Sequence, residues 1–284
     1  MQPTQRRILL LGASGYVGGG LWSSLSSRHW VTGTCSSRRV TELIPIDLRD
    51  EAALATLARQ GFDLVIHAAG LVDLEQCEAN PPLAHDLNVR SVEVLIQTLH
   101  GTSTRLVYLS SDNVFDGRLD EYTEDDSPAP LTVYGRSKVA AENLLRDSRH
   151  LVVRIPIVYG RSPFSDRFFE RFRKERTLAQ TDIVCTPLYL PSLAPALEQL
   201  WDYSGLLHFG GSEVMTRYTL MSRIRDALQL PTEIVPVQSA ALPGGELRPP
   251  RLILRSNRHS LSGPGLEEAL ADLKSMASPQ DHCS

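Results

Sequence analysis

From residue 7 onward, short apolar runs alternate with longer stretches in which apolar residues recur every three or four positions. The runs are "RILLLG", "WVTGT", "LIPID", "DLVIHAA", "RLVYLSS" and "LVVRIPIVYG". Runs this short, bounded by Gly, Asp or Pro, predict buried strands. Between them, "EAALATLARQG" and "LAHDLNVRSVEVLIQTLHG" predict helices, the second apolar at Leu87, Val94, Leu95 and Leu99. Such alternation predicts βαβ units, and hence an α/β fold with a Rossmann-type doubly wound parallel sheet. Past about residue 160 the pattern loosens, and Pro163, Pro187, Pro191, Pro195, Pro231 and Pro236 punctuate shorter elements. A first domain is therefore expected over residues 1–160 and a smaller C-terminal lobe over 161–284. "GLLHFGG" should supply a strand near 206–211 that returns to the main sheet.

Composition narrows the class. The 284 residues are 42% apolar and 22% charged, ordinary for a globular protein with ample core. The formal charge of −4 points to neither nucleic acid nor an anionic membrane surface. "RRILLLGASG" places a basic pair before an apolar run too short for a membrane span or the core of a secretion signal. The cysteines, Cys35, Cys77, Cys185 and Cys283, form no CxxC or zinc spacing. A reduced, cytoplasmic protein is expected. No macromolecular partner is indicated, and a homodimer is left open.

"ILLLGASGYVGGGLWSSL" sets Gly12, Gly15 and Gly18 between the first strand and a helix. Glycines there permit a tight turn and let backbone N–H groups approach a pyrophosphate at the positive end of the helix. With Gly12 and Gly15, the turn residues Ser14, Tyr16 and Val17 are expected at a dinucleotide, which makes residues 1–160 the cofactor domain. Further along, Asp47 and Leu48 end the third strand, where the carboxylate could meet an adenine amino group; Asp47 could equally cap the next helix. Ala68, Ala69 and Gly70 end the fourth strand and leave room for close approach, while His67 reads as a packed strand-end residue. No acid occupies Thr34 to Arg39, where an NAD enzyme of this fold places a ribose-binding carboxylate. Ser36, Ser37 and either Arg38 or Arg39 would instead meet a 2′-phosphate, so NADP(H) is the expected cofactor.

Among 29 basic residues only Lys138, Lys174 and Lys274 are lysines. Lys138 follows Tyr134 by four residues, on one face of a helix. A compact ammonium beside a phenol can make it a usable proton donor and can also bind ribose hydroxyls. Ser110 and Ser111 end the fifth strand, where a hydroxyl could polarise a substrate carbonyl. Three other stretches carry charge or aromatics. Arg248, Arg251, Arg255 and Arg258 of "RPPRLILRSNR" are candidates to clamp a diphosphate, or else line a solvated arm. "YTEDDSP" reads as a solvated turn rather than a metal site, and Phe168, Phe169 and Phe172 as a core stripe.

The glycine turn, the strand-end Ser, Tyr134-x-x-x-Lys138 and "RIPIVYG" together resemble the extended short-chain dehydrogenase/reductases. More narrowly, "CEANPPLAHDLNV", "SSDNVFDG", "YTEDDSPAPLTVYGRSKVAAE", "TPLYLPSLA" and "RPPRLILRS" are similar to the dTDP-4-dehydrorhamnose reductase family, from residue 8 to about 258. The resemblance implies Ser111, Tyr134 and Lys138 as the catalytic set and NADPH-dependent reduction of a nucleotide-linked 4-keto-6-deoxy sugar, bound by residues 161–284. It also implies two other readings: an NADP-binding regulatory subunit of a partner enzyme, or a reductase of a non-sugar ketone. The chain departs from the family where Ile183 follows Asp182, in the length between "VYG" and "TPLY", and at Arg251. All three departures concern the substrate side.

Overall fold

The structure is a computed structural model that describes residues 5–276 other than Ser37. Its centre is a seven-stranded, wholly parallel sheet. Six strands come from the first part of the chain: β1 (Arg7–Leu11), β2 (Trp30–Cys35), β3 (Ile44–Pro45), β4 (Leu64–His67), β5 (Arg105–Ser111) and β6 (Leu151–Ile155). Short strands β7 (Val158–Tyr159), β8 (Arg176–Gln180), β9 (Val184–Cys185) and β10 (Leu188–Tyr189) follow. Then β11 (Gly205–His208) pairs parallel to β6. The order across the sheet is β11-β6-β5-β4-β1-β2-β3, so the chain reverses direction of travel at β1, the Rossmann arrangement.

The helices are α1 (Tyr16–Leu25), α2 (Glu51–Ala58), α3 (Leu74–Ala79), α4 (Pro81–His85), α5 (Ser91–Leu99), α6 (Val133–Leu145), α7 (Leu193–Leu200), α8 (Arg217–Ala227) and α9 (Leu266–Met276). They cover both sheet faces, which is why β1 is apolar without alternation. Ile8 and Leu10 pack into one core, and Leu9 and Leu11 into the other. A third core, including Phe168, Phe169 and Phe172, gathers β10 with α8 and α9. Beside it lie a three-stranded sheet, β12 (Met215–Thr216) with β9 and β14 (Arg251–Leu252), and a pair made by β8 and β13 (Glu233–Val237).

Three local expectations change. "LIPID" yields only two paired residues on the sheet edge, where Pro45 fits because its missing N–H faces away from β2. Asp47 caps no helix; Asp50 does, accepting from Ala53 N–H at 2.9 Å. The helix expected over 83–101 is interrupted by a π-turn, Asp86–Arg90, which turns Asn88 inward. Buried Asn88 donates to the Leu71 carbonyl and the Ser137 hydroxyl, both at 2.9 Å, and accepts from Leu71 N–H at 2.7 Å. Among the described residues, no helix is long and apolar enough to cross a membrane.

Candidate active site

A cleft of about 720 Å³ opens at the carboxyl ends of the parallel strands. Gly12, Ser14, Gly15, Tyr16, Val17, Ser36, Arg38, Ala68, Ala69, Gly70, Ser111, Tyr134 and Lys138 all line it. Asp47 and Leu48 do not: the Asp47 carboxylate is paired with Arg49 at 2.6 Å, and Leu48 is in the core. Ser37 lies outside the described residues. Arg39 is exposed and does not line the cleft, whereas Arg38 does, its guanidinium donating to the Phe164 carbonyl.

The glycine turn has a steric logic. Gly12 has φ +84°, and a Cβ there would stand 2.8 Å from the Ala69 backbone. A Cβ on Gly18 would fall 2.1 Å from the Gly12 carbonyl oxygen. The two strand ends and α1 therefore close up only with glycine. Helix α1 starts at Gly15 with neither a capping side chain nor an acid in its first turn, so its N–H groups keep their affinity for an anion.

Helix α6 is set by its own N-terminus. Thr132 accepts from Gly135 N–H at 3.0 Å, and Glu78 accepts from Val133 N–H at 2.7 Å. Gly135, between Tyr134 and Lys138, lets the helix abut the segment after β5: a Cβ there would sit 2.2 Å from the Asn113 carbonyl oxygen. The tyrosine is thereby brought to the end of β5. Ser111 donates to Asp112 at 3.1 Å and accepts from the Asn113 backbone and side chain at 3.2 and 3.3 Å. Ser110 points the other way, to Glu142 at 2.5 Å.

Burial pushes the Tyr134 pKa up, and a hydrogen bond with Ser111 and the Arg167 charge oppose that rise. The Lys138 ammonium donates to the Leu109 carbonyl at 3.0 Å and lies 5.8 Å from the Tyr134 ring centroid. Burial brings Lys138 itself down to about 8, and raises Asp112 to about 6. Asp112, Asn113 and Asn88 were not singled out from sequence; their signal was only their neighbourhood, "SSDN" and "DLNV".

At the far end of the cleft the arginines differ from those expected. Arg251, Arg255 and Arg258 turn to Asp120, Glu121 and Asp125. Arg248 lines the cleft, joined by Arg167, Arg171 and Arg217. No hydrogen bond or ion pair from these four side chains occurs among the described residues, and the Nε atoms of Arg217 and Arg248 are buried without partners. Their mutual repulsion shows in Arg171, lowered to about 10 by burial and then by Arg217, Arg167 and Arg248. The "YTEDDSP" turn is not merely solvated either. Glu124 is buried and accepts from His208 N–H at 2.8 Å, Ser256 Oγ at 2.5 Å and Asn257 N–H at 3.0 Å, tying the 248–258 arm to β11. No metal-ligating cluster occurs among the described residues.

The profile described as the RmlD substrate binding domain matches residues 6–277. Among curated proteins, the Xenopus laevis "Methionine adenosyltransferase 2 subunit beta" is 31% identical, over 80% of this chain and 73% of that one. The Haloferax volcanii "Probable low-salt glycan biosynthesis reductase Agl14" is 32% identical, over 72% and 74%. Among solved structures, a Bacillus anthracis dTDP-4-dehydrorhamnose reductase in complex with NADP superposes with TM-score 0.85 at 21% identity, covering 96% of this chain and all (100%) of that one. A hypothetical dTDP-4-dehydrorhamnose reductase from Sulfolobus tokodaii gives TM-score 0.78 at 26% identity, covering 92% and 98%.

Proposed function

This chain belongs to the RmlD substrate binding domain family, and from that premise we propose that it is an NADPH-dependent reductase of a keto group on a nucleotide-linked sugar, of the 4-keto-6-deoxy kind. One observation carries the reading. Ser111, Tyr134 and Lys138 line one cleft together with a phosphate-accepting glycine turn and with Arg167, Arg171, Arg217 and Arg248, whose side chains make no hydrogen bond or ion pair among the described residues. The residues fit the cofactor: the Gly12–Ala69 approach leaves no room for a side chain, and α1 presents free N–H groups. Ser36 and Arg38 would hold the 2′-phosphate, and Lys138 the ribose. NADPH supplies the hydride when bound. Ser111 orients the keto group, and Tyr134 gives its proton to the oxygen as charge develops there. The arginines take the diphosphate, a use that a neutral ketone would not require. The fold neighbour crystallised with NADP and the relative named as a glycan biosynthesis reductase support this reading.

The test is NADPH oxidation by the purified protein with dTDP-, GDP- and UDP-linked 4-keto-6-deoxy sugars. Turnover of at least one is expected. A second reading, an NADP-binding regulatory subunit, is favoured by the relatives named as a subunit beta. It would take over if none is reduced and the protein instead co-purifies with a partner enzyme.

A further inference from the structure

Behind the cleft, one stripe of α6 carries Tyr134, Lys138 and Glu142, four residues apart. The Glu142 carboxylate takes two bonds from the Arg154 guanidinium on β6, at 2.9 and 2.6 Å, and a third from Ser110 at 2.5 Å. The ion pair is nearly sealed from water, with side-chain exposures of 2% for Arg154 and 9% for Glu142. Arg154 also meets His208 on β11 at 3.3 Å. Desolvation offsets most of what such a pair gains, so stability alone does not account for it.

Lys138 supplies the reason. It is 4% exposed, donates to the Leu109 carbonyl, and lies 4.6 Å from the Tyr108 ring centroid. The groups facing it are Tyr134 and Glu142 from its own helix, Tyr108 from β5, His67 from β4 and Cys77 from α3. Burial holds His67 at about 3 and Cys77 at about 11, and raises both tyrosines, so all four are uncharged near neutrality. Glu142 is the one anion of this set.

We propose that Glu142, held by Arg154 and Ser110, is the positioning residue that keeps Lys138 protonated inside the cleft. This rests on the reading of Lys138 as a donor to the cofactor ribose and names the group that sustains its charge. No ion pair joins the two side chains; Glu142 acts through the field, which a water-poor interior screens weakly. A buried lysine is charged below its pKa and loses its proton as pH rises through it. Removing the Glu142 charge therefore moves that loss to lower pH.

With only three lysines in the chain, carbon NMR of the lysine-labelled full-length protein can follow Lys138 directly, and Lys138→Met provides the assignment. A midpoint near 8 is expected for the wild type, and one lower by about a unit or more for Glu142→Gln. NADPH titrations should agree: Glu142→Gln binds like the wild type at about pH 6 and about tenfold more weakly at about pH 8.5. Should stranding Arg154 prevent Glu142→Gln from folding, Glu142→Gln/Arg154→Met removes both charges and should still lower the midpoint, but by less than the single variant, because the repulsion from Arg154 is lost along with the attraction of Glu142. Equal midpoints in variant and wild type would overturn the proposal, as would an affinity loss of one size at both pH values, the mark of a merely structural role. If the wild type binds no NADPH, the ribose reading of Lys138 fails, and the lysine midpoints alone decide the role of Glu142.

Discussion

At the glycine-turn end of the cleft, the ligand-facing groups are mostly backbone atoms and small side chains at the ends of a parallel sheet. At the far end they are guanidinium groups: Arg167 on a turn, Arg248 on a bend, Arg171 on a short 3₁₀ helix and Arg217 at the start of α8. The first end is fixed by ladders: β1 pairs with β2 and β4, and β4 with β5, so Gly12, Ala69 and Ser111 cannot shift independently. The second end is fixed by side-chain ties, such as Glu124 to Ser256 and Asp182 to Ser239. Sheet ends hold the part of a reaction that stays the same, and loops carry what changes with substrate. That division predicts that variants at the two ends fail in different kinetic terms.

The largest effect is expected where the ends meet. Tyr134→Phe removes the proposed proton donor and should lower kcat by about 10²-fold or more, the scale of general acid catalysis. NADPH affinity should stay close to wild type, because the ribose contact is assigned to Lys138. Near-normal turnover would break the assignment of chemistry to this junction.

Next come the arginines. Arg217→Ala and Arg248→Ala should each raise KM for the sugar nucleotide by about 10- to 100-fold, the worth of a charge-assisted hydrogen bond at about 1.5–3 kcal/mol. NADPH affinity should move little in either. Equal losses for both ligands would mean that the far end is not a separate substrate site.

The junction was easier to read from sequence than the far end, and the reason is distance along the chain. Tyr134 and Lys138 announce themselves by helical spacing, and Ser111 by closing an apolar run. Arg167, Arg217 and Arg248 have no common spacing; they converge only through the third core and the β12-β9-β14 sheet. The arm arginines misled for a related reason. Along a strand-like segment Arg248, Arg251, Arg255 and Arg258 look equivalent, yet the 120–125 turn supplies carboxylates to three of them. Asp47 shows a pairing that strand-end logic does not foresee, since its carboxylate meets an arginine two residues on.

A smaller effect should separate cofactors at the ordered end. Replacing Arg38 and Arg39 together with Ala should erase most of a preference for NADPH over NADH of about tenfold in kcat/KM, or about 1.4 kcal/mol. The structure puts the weight on Arg38, which lines the cleft, so Arg39→Ala alone should change little. Equal use of both cofactors by the wild type would remove the 2′-phosphate from this site.

The smallest expected effect tests whether the far end rests on its ties. Glu124→Gln keeps the shape but loses the carboxylate charge that accepts from His208, Ser256 and Asn257. A cost of about 1 kcal/mol is expected, less than the ~1.5–3 kcal/mol of a hydrogen bond to a charged acceptor because the amide oxygen of Gln still accepts. Those hydrogen bonds hold the Glu124 pKa below its usual value against the opposing pull of burial. A carboxylate whose pKa is lowered on folding contributes stability that is present above its unfolded pKa, about 4.3, and lost as pH falls through the folded value. The gap between wild type and Glu124→Gln should thus be full at neutral pH and narrow in acid below about pH 4. Hydrogen exchange should locate it: amides of 251–258 and the end of β11 exchange faster in the variant, while β1, β4 and β5 keep their protection. Loosening spread evenly over the sheet would show that the two ends of the cleft are one cooperative unit.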